Sequence, residues 1–153
     1  MSKKFLIVLC LALVPALAVA DGLDKYVEML RNDVRTSKVQ LITESLAMSS
    51  EQSEKFWPIQ REYETELAKL QDQRIAMVKR YAADYDSMTD AKATTLMKDA
   101  FKLQEQRSAL LKKYAGKVSK TVSPVIAARY AQVEGFLQAL VDVQLRGEIP
   151  LVP

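Results

Sequence analysis

Histidine is absent from this sequence, and its single cysteine, Cys10, falls in a leading apolar run. Those two shortages exclude the common zinc, haem and copper sites, which need imidazole or thiolate ligands. They also exclude a Ser-His or Cys-His nucleophile. Carboxylates and lysines remain, but no paired-carboxylate cleft follows from their spacing, so neither an enzyme nor a cofactor is expected. Glycine and proline are scarce, with 4 and 5 among 153 residues, and β-branched residues never alternate as a strand requires. A strong charge of one sign is missing too: 22 Lys+Arg stand against 19 Asp+Glu, a net +3. A dedicated nucleic-acid binder would carry a much larger basic field.

Long hydrophobic runs are equally scarce. Phe5 to Val14 is apolar but too short to span a bilayer, so no transmembrane segment is expected. Lys3 and Lys4 precede it, Pro15 breaks it, and Ala18-Val19-Ala20 has the small-x-small pattern of a cleavage site. Residues 1–20 therefore read as a cleaved export signal, with a mature chain starting at Asp21. Leu9 argues against lipidation of Cys10, because the position before a lipidated cysteine is normally small. Losing Lys3 and Lys4 with no acid brings the net charge from +3 to +1. The expected product is exported, periplasmic and free of disulfides.

Helix formers fill the remainder, which reads as one all-α domain over residues 21–148 with an apolar extended tail at 149–153. Leu23, Tyr26, Val27, Leu30 and Val34 make one stripe at helical spacing, followed by Val39, Ile42 and Leu46. Ser49 with Gln52 three residues later forms a capping box at the start of a second helix. Its stripe runs through Phe56, Ile59, Tyr63, Leu67, Leu70, Arg74, Met77, Tyr81 and Tyr85 with coiled-coil-like steps of three and four. Pro58 removes a backbone hydrogen bond there and predicts a kink. After a turn at Asp84–Ser87, Thr89 caps a third helix whose stripe is Leu96, Ala100, Leu103, Arg107, Leu110, Tyr114 and Val118. Ser123-Pro124 opens a fourth, with Ile126, Tyr130, Val133, Leu137 and Leu140 as its inward stripe. The acids Asp84, Asp86 and Asp90 do not make a calcium loop. Counting from Asp84, an EF-hand needs a glycine and an acid where this chain has Thr89 and Thr95.

The second and third helices are related by an internal repeat. Residues 66–82 align with 99–115, and nine of the 17 positions are identical, among them Leu70/Leu103, Arg74/Arg107 and Tyr81/Tyr114. The repeat is offset by 33 residues and the caps Ser49 and Thr89 by 40; the difference of seven is two helical turns, which preserves the inward face. Two such helices imply a long antiparallel hairpin of duplicated halves, flanked by an amino-terminal and a carboxy-terminal helix.

The cap motifs carry a resemblance. Met48, Ser49 and Gln52 before one long helix, and Met88 and Thr89 before the next, resemble the LTxxQ-motif periplasmic family, whose members are Spy/CpxP-like. Lys92 stands where the second Gln belongs, and neither copy begins with Leu. The resemblance covers roughly residues 40 to 130. It implies a helical homodimer acting as an ATP-independent holdase-type chaperone or envelope-stress protein that binds unfolded or stressed proteins. Metal-sensing relatives use His or similar ligands, and this sequence has no His. The alternative is a non-catalytic structural or regulatory adaptor for one envelope partner.

A surface that holds clients loosely combines adaptable apolar groups with surrounding charge. Phe56 and Trp57, with Arg61, Lys69, Lys79, Arg80, Lys102, Lys112 and Lys113, are the client-binding candidates, and Met77, Met88 and Met97 add adaptable contact. Arg74 and Arg107 differ from these. Each interrupts an apolar stripe at equivalent places in the repeat. A charge on a buried seam needs a partner, so both are expected to pair with an acid on another helix, Glu134, Glu44 or Asp142, and to fix register.

Overall fold

The structure is a computed structural model of the 153-residue chain, and it describes residues 38–153. The expected export signal, the start at Asp21 and the Leu23–Val34 stripe lie outside the described residues. The chain divides into two units, Met1–Leu41 and Ile42–Pro153. In the first, the described residues 38–41 are helical. The second is all helix apart from its turns and tail, and it holds the candidate sites.

Helix α1 covers residues 38–46, α2 Ser50–Asp84, α3 Asp90–Thr121 and α4 Pro124–Glu148, with a short 3₁₀ turn at Tyr85–Ser87. Among the described residues there is no strand. Each long helix begins as its sequence dictates. Ser49 accepts from the Gln52 amide at 3.3 Å while the Gln52 side chain accepts from the Ser49 amide at 3.0 Å, completing the capping box. Thr89 accepts from Lys92 N–H, and Ser123 from Ile126 N–H with Pro124 at the first helical position. Helix α2 is continuous through Pro58, and α3 through Gly116.

Contacts across the second unit fix its topology. Lys117 meets Glu62, Lys113 meets Glu66 and Arg80 meets Asp99, so α3 runs back along α2 in an antiparallel hairpin. Against α2, partners on α4 and just after it rise together, from Phe56 with Tyr130, through Gln60 with Glu134 and Arg74 with Asp142, to Tyr81 with Pro150 in the tail. Helix α4 is therefore parallel to α2, and the bundle is up, down, up.

The core is densest at the cap end. Phe56, Tyr63, Tyr114 and Tyr130 are fully buried, and successive rings meet edge to face at centroid distances of 5.5 to 5.9 Å. Ile42 and Leu46 close this end, and Arg129 donates to the Leu46 carbonyl at 3.0 Å. Ala47, which ends α1, has φ 46°, a left-handed conformation that glycine adopts more cheaply.

The inward face of α4 differs from expectation. Ile126 and Tyr130 are buried as expected, but the row continues through Glu134, Gln138 and Asp142, not through Leu140, which is exposed. Each step of four turns about 40° around the helix, so this inward line winds slowly around α4, and the last three of its five positions from 126 to 142 are polar. Ala100, expected on the buried stripe of α3, is also exposed.

Candidate functional site

A chain of polar groups runs through the bundle where α4 presents those three side chains. Asp142 is bridged by both repeat arginines, 2.7 Å from Arg74 Nη1 and 3.0 and 3.3 Å from Arg107 Nη1 through its two oxygens. The arginine side chains are 15% exposed and the aspartate 26%. The duplication explains the encounter. Paired positions across the hairpin sum to about 180, as in Glu66 with Tyr114, while repeat equivalents differ by 33. Only near Arg74 and Arg107 does a residue face its own copy. Like charges must meet at that level, and the acid has to come from the third helix. Burial pulls the Arg74 guanidinium below its usual value; Asp142 opposes this, and the charges of Arg107 and Arg146 add to it.

From Asp142 the polar chain turns inward. Arg107 Nη2 approaches Gln138 Oε1 at 3.4 Å, and Gln138 donates to the Tyr63 hydroxyl at 2.8 Å. Deeper still, Gln60 donates to Glu134 at 3.1 Å and to Glu64 at 2.9 Å, with Glu134 fully buried. Burial, helped by the Glu134 charge, pushes the Tyr63 and Tyr130 hydroxyls far above their ordinary value. Tyr114 is pushed up to about 12, by burial first and then by its 2.8 Å hydrogen bond to Glu66. Glu66 in turn is held below the usual carboxylate value by its bonds from Lys113 and Tyr114.

The client-binding candidates separate into core and surface. Phe56 has no exposed surface and packs among Ile59, Tyr63 and Tyr130; its assignment to client contact is corrected to core, because its stripe position faces inward. Trp57 is half-buried, its ring edge to face with Phe56 at 5.3 Å. Arg61, Lys69, Lys79, Arg80, Lys102, Lys112 and Lys113 are exposed. Two of them are engaged within the hairpin, Arg80 with Asp99 and Lys113 with Glu66. Lys113 and Lys117 also lie over the Tyr114 ring, 5.0 and 4.6 Å from its centre. Lys112, Lys113, Lys117 and Lys120 line an open groove around Gly116. Met48 and Met88 are half-buried beside their caps. Lys92, which replaces the motif Gln, spans the turn instead, meeting Asp84 at 2.7 Å and the Ser87 hydroxyl at 2.9 Å.

The outer face of α4 is apolar. Phe136, Leu140 and Val143 are 57%, 46% and 71% exposed and share one side of the helix, while Val125, 62% exposed, lies on that side beyond the exposed Arg129. Between residues 130 and 145 the only charged side chains are Glu134 and Asp142, and both are turned into the bundle. Over these four turns the outward side of α4 thus carries no charge. The sequence did signal this, since Phe136, Leu140 and Val143 have helical spacing of their own. Among the described residues no helix is long and apolar enough to cross a membrane, and no group of three or more acids is placed to hold a metal ion. Compared with family models, with curated proteins and with solved structures, the chain matches none.

Proposed function

We propose that this chain is a periplasmic, ATP-independent holdase-type chaperone or envelope-stress protein that binds unfolded or stressed proteins without catalysing a reaction. The observation that carries the reading is the uncharged apolar face of α4, which the bundle leaves exposed while it turns polar residues inward. A monomer gains nothing from exposing Phe136, Leu140 and Val143, whereas a surface for apolar segments requires it. The exposed lysines of α2 and α3 supply charge that speeds encounter without adding tight contacts. The cap residues Met48, Ser49, Gln52, Met88 and Thr89 support the resemblance to the LTxxQ-motif family. At rest the face is covered in a homodimer; two such faces meet without charge repulsion.

The test is suppression of aggregation by the purified protein, without ATP, for three unrelated denatured clients followed by light scattering. Suppression of all three near stoichiometric amounts, lost in Phe136→Ser/Leu140→Ser at an unchanged melting temperature, supports the reading. Protection of none of them excludes it. The adaptor reading has its own support in the regular spacing of Phe136, Leu140 and Val143, which suits one complementary helix.

A further inference from the structure

We propose that the level of Arg74, Arg107 and Arg146 is an oxyanion-binding site that takes a phosphate group. Arg74 from α2 and Arg107 from α3 meet there, and Arg146 of α4, an exposed side chain one turn beyond Asp142, adds its charge at Arg74. Asp142 is the one carboxylate that Arg74 and Arg107 pair with among the described residues, and Arg146 has no ion pair among them. Three positive charges against one negative leave an excess of two, shared between the half-buried Arg74 and Arg107 and the exposed Arg146 beside them.

Hydrogen-bond capacity is in excess as well. A guanidinium carries five N–H donors. Among the described residues Arg74 meets only Asp142, and Arg107 meets Asp142 and Gln138. A structural ion pair needs one arginine for one aspartate. Here a second is committed to the same carboxylate and a third stands one turn away. Phosphate fits what remains, because it brings between one and two negative charges at neutral pH and several acceptor oxygens in a non-planar array. A single carboxylate would neutralise only half of the excess. The charges of Arg107 and Arg146 add to the burial that lowers Arg74, which agrees with a site short of negative charge.

The experiment is isothermal titration of the purified protein at pH 7 and constant ionic strength with inorganic phosphate, glycerol 3-phosphate and, as a planar carboxylate control, acetate. Saturable binding of phosphate, with acetate much weaker, is expected. Equal binding of glycerol 3-phosphate assigns the site to phosphate monoesters as well, and its exclusion assigns it to the free ion; both support the site. Arg146→Gln should weaken phosphate by up to about fivefold without changing the melting temperature, the ceiling for one exposed charge contact. Asp142→Asn should tighten it by about tenfold or more, since a like charge a few ångströms from the anion is removed. Phosphate should then raise the melting temperature of Asp142→Asn more than chloride does at equal ionic strength. If phosphate, acetate and chloride act alike on the wild-type protein and on Arg146→Gln, the site does not exist and the cluster serves helix register alone.

Discussion

Replacing Asp142 with Leu leaves Arg74 and Arg107 facing each other with no carboxylate between them. For a fully buried pair, removing one partner costs roughly 3–5 kcal/mol, chiefly through the charge left behind. These side chains retain 15% and 26% exposure, so solvent screens part of that cost. About 2 kcal/mol is expected. For a unit the size of Ile42–Pro153 each kcal/mol moves the midpoint by roughly 3–5 °C, so calorimetry should show a fall of roughly 6–10 °C. A second arm separates lost charge balance from lost shape. Arg74→Met/Arg107→Met/Asp142→Leu removes the three half-buried charges and replaces them with apolar atoms, and it should recover to within about 1 kcal/mol of the wild type or exceed it. A triple variant less stable than Asp142→Leu would refute the reasoning, because the arginines would then be stabilising by contacts other than Asp142. So would a single variant that melts at the wild-type temperature.

Ala47→Gly should raise stability by about 1 kcal/mol, read from the denaturation midpoint, since glycine accepts φ 46° without the alanine penalty. Tyr130→Phe should be neutral or stabilising, because the buried Tyr130 hydroxyl has no hydrogen-bond partner among the described residues; Tyr114→Phe should cost about 1 kcal/mol through the lost bond to Glu66. Above pH 10 the protein should destabilise progressively. The unfolded chain ionises its tyrosines near 10, while Tyr114 holds its proton to about 12 and Tyr63 and Tyr130 hold theirs longer, so stability present below 10 is lost as pH rises through those values. Tyrosinate absorbance should rise together with loss of helix; full titration of a still-folded protein at pH 11 would contradict the burial of these rings.

The hairpin was legible because α2 and α3 obey the simplest rule available, apolar residues at steps of three and four between good caps. Arg74 and Arg107 were legible for the same reason, since a charge inside such a stripe announces a partner. Helix α4 was misread at its far end. A search for apolar residues finds Leu140, whereas the bundle admits Glu134, Gln138 and Asp142 and turns Leu140 outward. The spacing of Phe136, Leu140 and Val143 marks an apolar face but not which way it points, because what decides that lies on other helices: Gln60 and Tyr63 on α2, and two arginines that need an acid. Phe56 was placed correctly on its stripe but given the wrong role, since its inward position already implied burial.

The self-facing arginines also bear on how the unit folds. A hairpin of adjacent helices is built from contacts close in sequence and would ordinarily form early, with α4 docking afterwards. Here the two halves repel at the one level where the duplication meets itself, and the relief arrives with residue 142. The middle turns of α2 and α3 therefore gain their stability together with the second half of α4. Amide exchange in these three segments should report a common opening free energy, making one cooperative unit out of helices that the repeat alone would let fold in sequence.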